Sequence, residues 1–215
     1  MTSTTPSKEK PATRRVREPE QTRQKILGSA FHEIYRRGFQ AASLDRILAD
    51  AGVTKGALYH HFPDKASLGY AVVDDVIRGH LLARWLGPLS EPADDPLTAL
   101  QNAFSVRARE VQPHEVELGC PLNNLAQEMS PLDEEFRARI EAVFDAWRDG
   151  FAETIERAKA TGSVRQDVDS RQVAAFLVAA AEGSFGVSKN ARSLEMFRSN
   201  MELLVEYLET LRTRA

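Results

Sequence analysis

The run from Thr54 to Ala57 carries side chains suited to chemistry with a polyanion. Lys55 stands at the predicted start of a short helix, where its ammonium group can donate hydrogen bonds to guanine O6 and N7 in a DNA major groove. Its neighbours Thr54, Gly56 and Ala57 are small, so the backbone N–H groups of the helix N-terminus stay accessible to an anionic partner. The pattern predicts that Lys55 reads bases while the small residues let the backbone approach the DNA.

The side chains that follow offer hydrogen-bond donors for phosphate oxygens. These are Tyr59, His60, His61 and Lys65. Partial packing in the core is the alternative for Tyr59, and a metal site is the alternative for the two histidines. Adjacent helical residues point about 100° apart, and no carboxylate or cysteine stands nearby at ligand spacing. We therefore predict phosphate contacts, and neither a metal nor a cofactor.

Three predicted helices must position these residues. Apolar side chains recur at three- and four-residue spacing over residues 21–37, which predicts an amphipathic helix ended by Gly38. Ser43 is expected to cap a short helix that Gly52 ends, and Thr54 to cap another that runs to residue 61. Two short helices joined by a glycine-containing turn form a helix-turn-helix. Ser43 is both a predicted cap and a predicted phosphate contact.

The rest of the sequence is also predicted to be helical. A helix from about residue 65 should end near Gly87 and Pro88, and the proline-rich and acidic stretch 88–96 should be a loop. Further helices are predicted at 97–111, 120–129, 132–161, 170–188 and 193–212. No segment alternates like a strand. The predicted fold class is all-α, with about nine helices.

Charge and composition narrow the classes of partner. Residues 1–67 contain twelve Lys and Arg against seven Asp and Glu, whereas the remainder is acidic. Only this basic region is therefore expected to meet phosphate. The first 20 residues lack an apolar signal segment, no run approaches a membrane span, and the single cysteine, Cys120, fits a reducing compartment. We predict a cytoplasmic protein that does not enter a membrane.

The segment from Gly38 to Leu68 resembles the TetR family of repressors. The resemblance rests on Gly38-Phe39, Ser43, Ile47, the run 51–62 (AGVTKGALYHHF), Lys65 and Leu68. It implies a ligand-responsive transcriptional regulator, a repressor that binds a palindromic double-stranded DNA operator as a homodimer and is released by a small-molecule effector. It also implies a DNA-binding domain at 20–67 and a helical effector-binding and dimerisation domain at 68–215. Residues 1–19 are predicted to be a disordered basic arm, which either follows a DNA groove or is a solvated tail.

By this resemblance the last two helices form the dimer interface. Their apolar stripes are Val173, Phe176, Leu177 and Ala180 on one helix and Met196, Phe197, Met201, Leu204, Val205 and Leu208 on the other. The alternative for each of these residues is a place in the core of its own chain.

Effector-binding residues are predicted from a mostly apolar set that includes a few polar groups. The set is Phe104, Cys120, Asn123, Asn124, Gln127, Phe144, Trp147, Phe151 and Glu182. For each of them the alternative is a core or surface position without a ligand.

Cys120 receives a sharper hypothesis. The run Gly119 to Glu128 resembles the Gly-Cys-Leu…Asn-Leu…Glu opening of a body helix in a TetR subgroup that includes sensors of reactive electrophiles, although Pro121 replaces the leucine. A cysteine that caps a helix N-terminus can have a lowered pKa, which would make it a better nucleophile. The alternative is an inert buried thiol.

Two other classes of protein compete with this interpretation. A thiol enzyme built on Cys120 and His114 would need a third, orienting group and an oxyanion device, and the sequence suggests neither, so no enzymatic activity is predicted. A helical small-molecule-binding or interaction protein without sequence-specific DNA binding is the second alternative. It would bind DNA weakly and be indifferent to the loss of Lys55.

Overall fold

Helices make up almost all of the part of the chain that this computed structural model describes, residues 14–90 and 93–214. Within these residues the sole β-type pairing is an isolated bridge between Val164 and Arg212. The all-α prediction is therefore confirmed. None of the described helices combines the length and apolarity needed to span a bilayer.

The first three helices form the head of the molecule. They are α1 (Arg14–Arg37), α2 (Leu44–Ala51) and α3 (Lys55–His61). Local chemistry sets their ends, because the Ser43 hydroxyl accepts the Arg46 N–H and the Thr54 hydroxyl accepts the Ala57 N–H. Both caps were predicted. Apolar side chains on all three helices close the core of the head, namely Ile26, Leu27, Ile47 and Leu58.

The remaining helices form the body. They are α4 (Lys65–Ala71), a π-helical segment (Val72–Ile77), α5 (Arg78–Leu86), α6 (Pro96–Glu110), α7 (Pro113–Leu118), α8 (Pro121–Met129), α9 (Glu134–Ala160), α10 (Ser170–Ala191) and α11 (Leu194–Glu209). The first three of these run on continuously and correspond to one predicted helix. Every predicted helix is present.

One short helix was not predicted. Helix α7 has six residues, which is too short to show helical periodicity in the sequence. Pro113 begins it, and its start is stabilised by the Gln112 backbone N–H, which donates to Glu115 Oε2 at 2.9 Å. It lies between α6 and α8 and helps to close the wall of the cavity described below.

The predicted disordered arm, residues 1–19, lies partly outside the described residues. Its last part was predicted wrongly, because α1 begins at Arg14 and contains Pro19. A helix that is stabilised by packing over 21–37 extends at little cost into flanking residues of good helix propensity. Pro19 removes only one hydrogen bond near the helix start.

The head rests on the body through a close approach at Gly69. Phe39, from the turn after α1, and Phe136, from α9, meet beside this glycine with ring centroids 4.7 Å apart. A Cβ at position 69 would lie 2.5 Å from a ring carbon of Phe39 and 2.6 Å from one of Phe136. Glycine is therefore required there if the two aromatic rings are to join head and body.

The centre of the body is an aromatic cluster. Trp85, Phe104, Trp147 and Phe151 come from α5, α6 and α9, and the ring of Trp85 lies 5.0 Å from that of Trp147 and 5.1 Å from that of Phe104. These rings bury a large apolar area and fix how α5, α6 and α9 pack. Trp85 lines the cavity described below, and the other three rings lie behind it.

We predict that Gly69→Ala lowers the free energy of unfolding by about 1–3 kcal/mol, because the added methyl group overpacks the contact between Phe39 and Phe136. Urea denaturation followed by circular dichroism would measure the change. Gly79→Ala is the matched control, since nothing lies within 4 Å of its added Cβ. It should raise stability by about 0.5–1 kcal/mol through helix propensity alone. Equal effects of the two changes would contradict the packing account.

Candidate functional site

The beginning of α3 is open to solvent. Thr54, Lys55 and Gly56 are exposed, Ala57 is half-buried, and Leu58 turns inward to hold the helix against the head. The Lys55 ammonium lies 5.9 Å from the centre of the Tyr59 ring. The predicted base reader and its small neighbours therefore share one accessible surface, and the short helix owes its stability to packing of Leu58.

The aromatic and imidazole donors lie next along α3. Tyr59 is 41% exposed, which argues against the alternative that it packs in the core. His60 is exposed and His61 half-buried, and their rings stand 5.2 Å apart. Among the described residues, no group of three or more His, Cys, Asp and Glu side chains is arranged to hold a metal ion. These side chains place hydrogen-bond donors at or near the surface of α3, where they can reach phosphate oxygens.

Lys65 and Ser43 both have structural partners. The Lys65 ammonium donates to the carbonyl oxygen of Gln40 at 3.0 Å and lies 5.0 Å from the Phe39 ring centre. Ser43 caps α2 and its backbone N–H donates to Glu33 Oε1 at 3.2 Å. Lys65 therefore ties the start of α4 to the turn after α1, with two of its three donor hydrogens left for another acceptor.

A single carboxylate of the body holds this same turn. Glu128, near the end of α8, accepts the backbone N–H of Phe39 at 2.8 Å and that of Gln40 at 2.8 Å, one on each oxygen. Gly38 has a φ of 82°, and a Cβ there would lie 2.8 Å from Glu128 Oε2. Only glycine suits both the left-handed backbone and the close approach. We call this contact, formed by Glu128 with Phe39 and Gln40, the α8 clasp.

A cavity of about 500 Å³ lies between α1 and the body. Phe31 and Tyr35 of α1 line one side, and side chains of α5, α6, α7, α8 and α10 line the other. The Tyr35 hydroxyl donates to the carbonyl oxygen of Gly119 at 2.5 Å, which bridges the two sides. Burial is the main reason that the pKa of Tyr35 lies well above its ordinary value, so the phenol stays a donor. The volume suits a small organic molecule.

Glu182 is a charged residue inside this cavity wall. Its side chain comes from α10 and is 6% exposed, and neither of its carboxyl oxygens has a hydrogen-bond partner among the described residues. Burial raises the pKa of Glu182 from 4.5 to about 7, although the neighbouring Cys120 thiol and Arg107 guanidinium oppose the rise. The cavity therefore contains an unsatisfied acid in its wall.

Arg107 is the other buried charge of the wall. Its guanidinium forms an ion pair with Glu115 at 3.2 Å and lies 5.1 Å from the centre of the Phe185 ring. Glu115 also pairs with Arg84 at 2.8 Å. Burial lowers the pKa of Arg107, and the Glu115 carboxylate opposes that shift. Arg107 thus has a carboxylate within ion-pair distance, whereas among the described residues Glu182 has no cation that close.

The hypothesis of an activated thiol at Cys120 does not fit the structure. Cys120 is the residue before Pro121 at the start of α8, as predicted. Its pKa is nevertheless raised well above the ordinary value, because burial and the neighbouring Glu182 carboxyl outweigh the N–H groups of Asn123 and Leu122. The expectation of a lowered pKa is wrong, and the neutral thiol serves as a small wall residue of the cavity.

The predicted effector-binding residues fall into three places in the structure: the cavity wall, the core and a separate hollow. Cys120 and Glu182 line the cavity, whereas Phe104, Trp147 and Phe151 are fully buried in the aromatic cluster behind it. Phe144 is half-buried and packs against the core. Asn123, Asn124 and Gln127 line a separate hollow on the α10 side of α8, where Asn124 accepts a hydrogen bond from Lys189. The three core aromatics are not cavity residues.

Several cavity residues were not predicted from the sequence. Tyr35, Trp85, Arg107 and Phe185 line it together with residues that were. Arg107 carried a usable signal, since it interrupts the apolar face of α6 between Phe104 and Ala108. A charge within an apolar stripe indicates a buried, functional or paired group. The aromatic residues gave no such signal, because core positions have the same composition.

The exposed side of α10 is uncharged along most of its length, and α11 adds two exposed apolar side chains among charged ones. On α10 the exposed residues between Gln172 and Lys189 are all uncharged, and Phe176 and Val187 among them are 49% and 53% exposed. On α11 Met196 and Leu203 are 40% and 59% exposed. We call this surface, formed by Phe176 and Val187 with the small exposed residues of α10 and by Met196 and Leu203 of α11, the α10–α11 face.

This face differs from the predicted apolar stripes. Phe176 and Met196 are exposed, and Ala180 and Val205 are half-buried. The other predicted interface residues, Val173, Leu177, Phe197, Met201, Leu204 and Leu208, are buried within the chain. Both helices are apolar on two sides, and periodicity alone does not tell which side faces the chain's own core.

Two family models match the chain. A model described as "Bacterial regulatory proteins, tetR family" matches residues 26–72, and one described as "Tetracyclin repressor-like, C-terminal domain" matches residues 96–203. The first covers α2 and α3 with most of the residues that present donors to solvent. The second covers α6 to α10 and the start of α11.

Known proteins of similar sequence are regulators. An HTH-type transcriptional regulator from the lacX 3′ region of Lactococcus lactis is 30% identical over 187 residues, which span 85% of this chain and 91% of that protein. The HTH-type transcriptional repressor DhaR of Mycobacterium sp. (strain GP1) is 28% identical over 179 residues, or 81% of this chain and 87% of that one.

Solved structures have the same fold. A TetR-family regulator from Cytophaga hutchinsonii matches with a TM-score of 0.81 at 19% identity and covers 92% of this chain and 98% of that one. One from Chloroflexus aurantiacus matches with a TM-score of 0.80 at 23% identity and covers 93% of this chain and 100% of that one.

We predict that Glu182→Gln stabilises the protein in a pH-dependent way. The pKa of Glu182 is about 7 in the folded protein and 4.5 in its ordinary state, so the wild-type protein loses stability as pH rises through this interval. The advantage of the variant in free energy of unfolding should be about 3 kcal/mol larger near pH 8 than near pH 4.5.

Urea denaturation at several pH values would measure this difference. Glu195→Gln, on the exposed surface of α11, is the matched control and should show no such trend. If the difference in free energy of unfolding between Glu182→Gln and the wild type did not change with pH, the raised pKa of the Glu182 carboxyl would be contradicted.

Proposed function

The chain belongs to the TetR family and is a ligand-responsive, DNA-binding transcriptional regulator, and from this premise we propose which of its residues perform each part of that function. We propose that it is a repressor, that α3 reads a palindromic operator, that the α10–α11 face forms a homodimer, and that α8 links effector binding to the head. The observation that carries the proposal is that Lys55, Tyr59 and His60 of α3 expose hydrogen-bond donors within the segment matched by the regulatory-protein model. We expect the protein to act in the cytoplasm, where the operator lies.

The proposed DNA contacts divide into base reading and phosphate binding. Lys55 is exposed and carries donors for guanine O6 and N7, and the small residues Gly56 and Ala57 let the helix enter the major groove. Tyr59 and His60 extend from the same helix and suit phosphate oxygens. His61, Ser43 and Lys65 sit nearer the core of the head, where phosphate contact would add to their structural roles.

The proposed dimer would use the α10–α11 face. Large apolar side chains of four residues lie exposed there, and the α10 part of the surface carries no charge between Gln172 and Lys189. Exposed apolar surface of this kind favours association, and a second copy supplies the same surface around a twofold axis. Two heads held about 34–36 Å apart then match a palindrome. TetR-family regulators typically act as dimers.

The proposed link between effector and DNA runs along α8. Its first residues, Cys120 and Pro121, line the cavity, and its last turn carries Glu128 of the α8 clasp. A helix of nine residues moves as one rigid element. An effector that shifts the start of α8 would therefore alter the position of the clasp and the orientation of the head. Such an effector must prefer the state that does not bind DNA.

We predict that Lys55→Ala weakens binding to the preferred operator by roughly tenfold per half-site, because a base contact is lost. Binding to random DNA should weaken much less. The operator would first be selected from a random DNA pool, and both affinities would be measured by fluorescence anisotropy at one salt concentration. Arg109→Ala, an exposed charge of the body, is the matched control. Equal loss on both DNAs would show that Lys55 binds phosphate and does not read bases.

We predict that Leu203→Glu raises the dimer dissociation constant by at least about tenfold, because two charges would be buried in an apolar interface. Analytical ultracentrifugation over a range of concentrations would measure it. Leu132→Glu is the matched control, since Leu132 is 62% exposed and lies between α8 and α9, away from the α10–α11 face. An unchanged constant for Leu203→Glu would rule out this face as the interface.

A further inference from the structure

The wall of the cavity between α1 and the body carries the buried carboxyl of Glu182 together with cationic, imidazole and apolar side chains. Glu182 contributes two buried oxygens that have no hydrogen-bond partner within the part of the chain that the structure describes. Two other polar groups of the wall are engaged, since the Arg107 guanidinium pairs with Glu115 and the Tyr35 hydroxyl donates to Gly119. The wall also includes further cationic or imidazole side chains, namely His32, Arg36, His80, Arg84 and His114. A buried acceptor without a donor is costly, and a donor brought in by a ligand would remove that cost.

The apolar part of the wall is aromatic and aliphatic. Phe31, Trp85 and Phe185 supply ring surfaces, and Ile77 and Leu81 supply aliphatic surface. Such walls bind the hydrocarbon part of a ligand through burial of apolar area, while a few placed polar groups set its orientation. The volume of about 500 Å³ accommodates a molecule with both parts.

We propose that this cavity is the effector site and that it takes a small amphipathic molecule whose amine or hydroxyl group donates to the Glu182 carboxylate while its apolar part packs against Trp85 and Phe185. The assignment rests on the proposed function for its regulatory meaning. At pH 8 or above, where a carboxyl with a pKa of about 7 is largely ionised, it excludes ligands that present only acceptors to Glu182, because two facing acceptors repel. It also gives the ligand contact with both α1 and the start of α8.

A matched series of ligands tests the proposal on the full chain. The probes are 3-phenylpropylamine, 3-phenylpropan-1-ol, propylbenzene and 3-phenylpropanoate, which share the ring and chain and differ in the end group. Dissociation constants would be measured by ligand-observed NMR without DNA, at about pH 8.5, where Glu182 is ionised. The amine, the alcohol or both should bind at least about tenfold more tightly than the hydrocarbon and the acid. The member of the pair that binds more tightly identifies a cationic or a neutral donor.

Variants connect this preference to one residue. Glu182→Leu should remove the advantage of the donor-bearing probes over propylbenzene, and Glu182→Gln should reduce that of the amine by about tenfold. Glu195→Gln should leave the preference unchanged. The proposal is overturned if no probe binds, if donors bind no better than propylbenzene, or if the preference survives in Glu182→Leu.

Operator binding is measured separately on the same protein without probes. A donor preference without operator binding would leave the ligand assignment standing and contradict the regulatory proposal. Operator binding without any donor preference would contradict the ligand assignment and leave the regulatory proposal standing. The two failures are therefore distinguishable.

Discussion

Two backbone N–H groups of the head donate to one carboxylate of the body, and the relation between the two parts depends on this contact. The clasp of Glu128 on Phe39 and Gln40 uses both oxygens at 2.8 Å, so it fixes orientation as well as distance. Gly38 makes the approach possible, and Lys65 holds the carbonyl of Gln40 from the other side. Hydrogen bonds to a charged acceptor are among the stronger ones in proteins. The turn between α1 and α2 is therefore held by the body through α8.

The body contains a closely packed aromatic cluster and, next to it, a cavity wall with a buried carboxyl. The aromatic cluster around Trp147 is closely packed and fixes α5, α6 and α9. Beside it the wall carries Glu182, whose burial without a hydrogen-bond partner among the described residues lowers the stability of the fold. Functional sites commonly sacrifice stability in this way, because the groups that bind a ligand are left unpaired until the ligand arrives. The cavity and the clasp are the two ends of α8, which gives a short physical path between them.

Local sequence determined what could be predicted. Ser43 and Thr54 cap their helices as expected because capping depends on residues within three positions along the chain. The exposed start of α3 followed from the same local pattern and from the resemblance to a family. Helix α7 escaped prediction because six residues are too few for a periodic signal. The π-helical segment was likewise not anticipated, since its hydrogen bonding leaves no mark in apolar spacing.

Features that depend on tertiary packing were harder to predict. Phe176 and Leu177 are neighbours on α10, yet one is exposed and the other fully buried, and both are apolar. Phe104 and Phe185 are both buried aromatics, yet only Phe185 borders the cavity. The elevated pKa of Cys120 could not be expected from its capping position, because burial beside Glu182 is a long-range effect. In each case the sequence gives the residue type, but neighbours from other helices decide whether the residue is exposed, borders the cavity or has a shifted pKa.

The operator affinity of Glu128→Gln tests most directly whether the body holds the head in its DNA-binding orientation. Glutamine keeps the shape of the side chain but turns one acceptor into a donor, which faces an N–H group. The account predicts about tenfold weaker operator binding together with faster hydrogen exchange at Phe39 and Gln40, while Glu153→Gln on α9 changes neither. Unchanged operator affinity in a variant whose Phe39 and Gln40 amides exchange freely would contradict it.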